Sequence, residues 1–128
     1  MQSPSKFSPL LVALATGGAA LAAALAARHL VVEPQTMGIL CDNPGGPLWC
    51  HGRQGLILLF NKGFFALASV FLAIAAMSTR RHAAGLAVAA VAFGAAGAVL
   101  YNLEWAVPGL LLGLLRAARL DAARPTGP

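Results

Sequence analysis

The chain has 128 residues, 10% charged and 59% hydrophobic, with a formal net charge of +5. A soluble domain of this length is about one quarter charged, so too few polar side chains are present to clothe a surface that faces water. The positive balance does not point to nucleic acid either, because the basic residues stand between long apolar runs instead of on one helical face or in one block.

The first apolar run, Leu10 to Ala27, is uncharged and long enough to cross the roughly 30 Å hydrocarbon core of a bilayer as a helix. Pro9 suits its first turn and Arg28-His29 marks its far end, giving a span of about 10–30. A competing reading is a cleaved secretory signal, with Lys6 in the charged region and Ala-x-Ala sites between Ala22 and Ala27. The apolar stretch is long for a signal, which favours a retained helix. Under either reading the next segment, an external loop over about 31–54, lies outside the cytoplasm.

That loop holds both cysteines, Cys41 and Cys50, separated by a stretch rich in Pro and Gly that can turn the chain back on itself. In an oxidising compartment the pair is expected to form a disulfide, which stabilises the loop by about 2 to 3 kcal/mol in the chain-entropy model. Two sharper readings use the same residues. A quinone-linked thiol-disulfide oxidoreductase needs a close Cys-x-x-Cys pair, which the chain lacks. A metal site built from Cys41, Cys50, His51 and His29 would need free thiolates where thiols are oxidised. None of the three histidines lies inside an apolar run, which argues against haem ligated by histidines of facing helices, and no cofactor is expected.

The second run, about 55–79, contains one anomaly, Asn61-Lys62. An ionisable residue at that depth either snorkels, finds a partner or serves a transport path. Glu104 is the acidic residue nearest the end of a span, so Lys62 and Glu104 are expected to form an intramembrane ion pair. After Arg80-Arg81-His82 the third run covers about 83–101. The fourth, about 103–120, reaches full length only if Glu104 and Trp105 sit at one interface while Arg116 and Arg119 reach the other. Residues 121–128 read as a disordered basic tail. Gly109 and Gly113 form a GxxxG, and Gly94 and Ala98 a GxxxA, spacings that allow helices to pack closely.

Lys and Arg gather on the cytoplasmic side of membrane proteins. Four spans with a cytoplasmic N-terminus put Lys6, Arg80, Arg81, Arg116, Arg119 and Arg124 inside and Arg28 and Arg53 outside. The expected fold is therefore all-α: a four-transmembrane-helix bundle forming one domain over residues 1–120, with both termini cytoplasmic. Three spans plus a C-terminal interfacial helix is the alternative. With no nucleophile triad and no acidic ion relay, the chain reads as an accessory, assembly or scaffold subunit of a larger complex in a bacterial inner membrane. Its expected partners are the lipid bilayer and other membrane subunits or copies of itself, and not nucleic acid. The alternatives are the oxidoreductase above and a small transporter or channel using Lys62.

Overall fold

The computed structural model describes residues 7–32, 35–42, 48–99 and 103–124, and among these all regular structure is helical. Helix α1 spans Pro9–Ala27 and continues into a π-helical turn, Arg28–Val32. It starts where Ser8 and Pro9 direct it, with the Ser8 hydroxyl oxygen accepting a bond from the Leu11 N–H at 3.0 Å. Then come α2 (Gln35–Asp42), α3 (Trp49–Asn61), α4 (Phe64–Ser78), α5 (Ala83–Val99) and α6 (Leu103–Ala122).

The apolar run over 55–79 forms two helices and not one continuous rod. The axes of α3 and α4 diverge by 56° at Lys62 and Gly63. Gly63 sits at φ 69°, ψ 24°, a left-handed conformation that glycine adopts without steric cost. Hydropathy carries no trace of this break because glycine is neutral on such scales. Two other boundaries also differ from expectation. Helix α3 begins at Trp49, inside the segment read as external loop, and α6 runs through Asp121 and Ala122 into the segment read as tail. Polarity marks where hydrocarbon ends, whereas a helix continues until its hydrogen bonding stops. Asp121 is held near Arg124 by a 3.8 Å ion pair one turn on. Residues 125–128 lie outside the described residues, as does Lys6.

Pro108 is inside α6 without breaking it. It lies close to the N-terminus, where the carbonyl it leaves unbonded belongs to Glu104 of the exposed first turn.

Helices α4, α5 and α6 pack on one another, while α1 lies mainly along α5 with a smaller contact to α6. Their directions follow from two clusters. Ala13 near the start of α1 meets Ala76 late in α4, Ala87 early in α5 and Ala117 late in α6. At the other end Ala24, late in α1, packs with Leu56 of α3, Phe65 at the start of α4, and Ala96 and Val99 near the end of α5. The four long elements therefore alternate in direction, an up-down-up-down bundle with α5 at its centre.

By length and apolar character, one helix alone suffices to cross a membrane, Pro9–Leu30 counted through the π turn. Helices α3 and α4 qualify only together, as a bent pair, and α5 is apolar but 17 residues long. The all-helical class expected from sequence is thus present, with one clear crossing element among the described residues.

Candidate functional site

The bundle's centre is built from the smallest side chains. Ala66, Ala73 and Ala76 of α4, Ala87, Ala90 and Gly94 of α5, and Ala106, Gly109 and Gly113 of α6 are all buried. Among the described residues the Ser69 side chain is completely buried, and Val91 of α5, 2% exposed, is the largest apolar side chain in the core. The Ser69 hydroxyl donates to the Ala90 carbonyl at 2.7 Å, tying α4 to α5. Ser69 fits there because Gly94 and Gly109 face it. A Cβ on Gly109 would lie 2.8 Å from the Ser69 carbonyl carbon, and one on Gly94 would lie 2.8 Å from the Ser69 hydroxyl oxygen. Three helices meet at this junction with no room for a methyl group. Gly113 has the same role one turn on, where a Cβ would lie 3.1 Å from the Ala90 side chain.

Of the packing residues expected from spacing, Gly94, Gly109 and Gly113 are thus at close helix contacts. Ala98 is half-buried, and its neighbour Gly97 is the residue that faces Ala66 and Ala106. Ser69 escaped the sequence reading. Its signal was a hydroxyl in the middle of an apolar run, where hydrocarbon demands a partner.

Large apolar side chains point the other way. Leu11, Leu14, Leu21 and Leu25 of α1, Phe71 and Ile74 of α4, and Leu111 and Leu115 of α6 are all exposed, Phe71 by 69%. A fold that shields its apolar surface from water buries its Leu, Ile and Phe and leaves small residues wherever they fall. This arrangement is the reverse.

Arginines close the two ends of the bundle. At one end the Arg28 guanidinium donates at 2.8 Å to the carbonyl of Val99, the last residue of α5. At the other, Arg116 of α6 donates from Nε to the Ala76 carbonyl at 2.9 Å and approaches the Thr79 carbonyl at 3.4 Å, serving the C-terminus of α4. The last carbonyls of a helix have no partner within it and carry its partial negative charge, so cations bind there favourably. Arg116, expected to reach the far interface with Arg119, also bonds from its guanidinium to neighbouring backbone, a contact no linear pattern reveals.

Cys41 and Cys50 form the expected disulfide, with their Cα atoms 5.5 Å apart, fastening α2 to the start of α3. Cys50 is almost fully buried and Cys41 half-buried. Both thiols of the candidate metal set are thereby consumed, and its histidines, His29 and His51, are exposed. Among the described residues no group of three or more His, Cys, Asp or Glu is placed to hold a metal ion.

Lys62 is exposed at the α3–α4 bend, and Glu104 is exposed in the first turn of α6, where its charge complements the positive end of the helix. No ion pair between them occurs among the described residues. The left-handed turn at Gly63 turns α3, and Lys62 with it, away from the axis of α4.

A concavity lies on the lateral surface. A groove of about 330 Å³ runs between α1 and α5, floored by Ala20, Ala24, Ala92 and Ala96 and walled by Phe65 and Phe93. The two rings, Phe65 of α4 and Phe93 of α5, stack with centroids 5.8 Å apart. Every lining side chain is apolar, and none supplies a nucleophile, acid or base. Comparison with protein-family models, with curated proteins and with solved structures finds no match to this chain.

Proposed function

We propose that the chain is a multi-pass protein of a bacterial inner membrane, with four membrane segments and both termini cytoplasmic, serving as an accessory, assembly or scaffold subunit of a larger membrane complex. The observation that carries the membrane part is the inverted distribution of size, with Ala, Gly and Ser inside and Leu, Ile and Phe outside. In a bilayer nothing is gained by hiding leucine from lipid tails, so close packing of small residues becomes the main force between helices. The alternating bundle has even parity, so four crossings return the C-terminus to the side of the N-terminus. Helices α3 and α4 then act as one bent segment, α3 extending outward to the disulfide.

The accessory role is supported by the character of the interior. Among the described residues its one buried polar side chain is Ser69, which is satisfied by Ala90. A transport path to Lys62 would need polar, water-bearing lining. A thiol oxidoreductase would need a disulfide open to its partners, and Cys50 is nearly buried. The exposed apolar surface and its groove suit contact with other membrane helices.

Two measurements test the proposal. Alkaline carbonate washing should leave the protein in the membrane pellet, and release into the supernatant would overturn the membrane reading. Purification in mild detergent should bring down a stoichiometric partner chain. Recovery of the chain alone, with disulfide-exchange activity on a quinone or with solute flux in vesicles, would favour the oxidoreductase or transporter instead.

A further inference from the structure

The chain's charge is unevenly divided between the two ends of the bundle. Arg80, Arg81, Arg116, Arg119 and Arg124 cluster at the end where α4 and α6 finish and α5 begins, against one carboxylate there, Asp121. At the opposite end the described residues include Arg28, Arg53 and Lys62 together with Glu104. Among the described residues the larger part of the excess positive charge thus lies at the Arg116 end. The N-terminus of α5 opens at that same end, with no acidic residue in its first turn, adding the partial positive charge of the helix.

This cluster is organised around a fixed member. Arg116 is half-buried between α4 and α6, held by the Ala76 and Thr79 carbonyls. Arg80 follows Thr79 directly, and Arg119 lies three residues beyond Arg116 in α6, so both are placed next to it on the exposed rim. Arg119 is also the last residue of an exposed stripe at four-residue spacing, Leu111, Leu115, Arg119. That stripe is apolar along its length and cationic at its end. It has the polarity of a phospholipid laid against a helix, acyl chain on the leucines and phosphate at the arginine.

We infer that the Arg80, Arg116 and Arg119 cluster is a binding site for an anionic phospholipid of the cytoplasmic leaflet, its phosphodiester held by the guanidinium groups and its chain lying along Leu111 and Leu115. The inference rests on the membrane reading above. Guanidinium groups match phosphate oxygens in geometry, and basic pockets between membrane helices on this face attract anionic headgroups. Leu111 and Leu115 select a lipid over free phosphate, since the latter gains nothing from them.

The test uses the full chain purified in neutral detergent, with thermal unfolding followed by circular dichroism. Phosphatidylglycerol should raise the midpoint by several degrees, with the rise shrinking in high salt. Phosphatidylcholine with the same acyl chains, and inorganic phosphate, should leave it in place. The Arg80→Gln/Arg119→Gln variant should lose the shift relative to its own lipid-free midpoint, while Lys62→Gln, at the other end, should keep it. Independently of any variant, native mass spectrometry from bilayer discs of the two lipids mixed should retain phosphatidylglycerol on the wild-type chain. Equal shifts from both lipids, a full shift from inorganic phosphate, persistence of the shift in the double variant, or no enrichment of phosphatidylglycerol would each overturn the inference. A protein that stays in the carbonate-washed pellet but has no lipid preference fails this inference alone; one released by the wash fails the membrane reading.

Discussion

Two helical glycines, Gly109 and Gly18, have opposite structural demands. Gly109 faces the backbone of Ser69, so a methyl group there must push α4 and α6 apart. Gly18 faces open space on the outside of α1, where no atom lies within 4 Å of the added carbon. Gly109→Ala should therefore cost about 1 to 3 kcal/mol through overpacking. Gly18→Ala should be neutral or stabilising by up to about 1 kcal/mol, because alanine is the better helix former. Thermal unfolding of the two variants in one detergent measures the difference, and equal midpoints would contradict the close α4–α6 contact. Lys62 and Glu104 belong to the same scale. Both are exposed and unjoined in the structure, so the losses from Lys62→Ala and Glu104→Ala should add in a double-mutant cycle. A clearly sub-additive double variant would show that the two residues meet in the bilayer after all.

Among the elements, α2 depends most on a covalent link. It makes little contact with the other helices and is attached to α3 through Cys41–Cys50. Reduction should therefore loosen α2 without unfolding the bundle, whose contacts involve α1, α4, α5 and α6. Limited proteolysis before and after reduction should reveal new cleavage within residues 35–48 while the remainder survives. Maleimide should label the chain only after reduction. The α3–α4 bend has its own determinant in Gly63. Gly63→Ala forces a Cβ into the left-handed region and should destabilise by about 1 kcal/mol, whereas Asn, which tolerates that conformation better, should restore part of the loss.

For the whole molecule, the inverted packing predicts an inverted response to mutation. Ala73 is fully buried where helices approach closely, while Phe71, two residues away, is 69% exposed. Ala73→Leu should disrupt the bundle, and Phe71→Ala should hardly change its stability in lipid or detergent if, as proposed, lipid surrounds the bundle and solvates either side chain. A water-soluble core would give large losses for Phe→Ala of about 3 to 5 kcal/mol. Such a loss at Phe71 would mean that it is covered by something other than lipid. The direction of the bundle is tested by reporter fusions: alkaline phosphatase should be active after Arg53 and inactive after Arg81 and at the C-terminus. Activity at the C-terminus would remove the fourth segment.

Much of this was legible in the linear sequence because it depends on local composition. Long uncharged runs dictate helices whatever surrounds them, and the start of α1 is marked in sequence by Pro9. The cysteine pair could be matched because only two cysteines exist and a short Pro/Gly-rich stretch separates them. Glycine spacing located Gly94, Gly109 and Gly113, since only small residues permit backbones to approach. Tertiary structure alone decided the rest. Ala98 and Gly97 are equally small, and which of them enters the interface depends on how α5 is rotated against α4 and α6. Arg116 hydrogen-bonds from Nε to a carbonyl of α4 that lies 40 residues away in sequence, a partner no linear pattern names. Lys62 and Glu104 match in charge, but no ion pair joins them among the described residues, and the left-handed turn at Gly63 that sets the direction of α3 leaves no mark in hydropathy. In each case the outcome depends on the orientation of one helix relative to another, and a chain of alanine, leucine and glycine encodes that orientation only through the sum of its contacts.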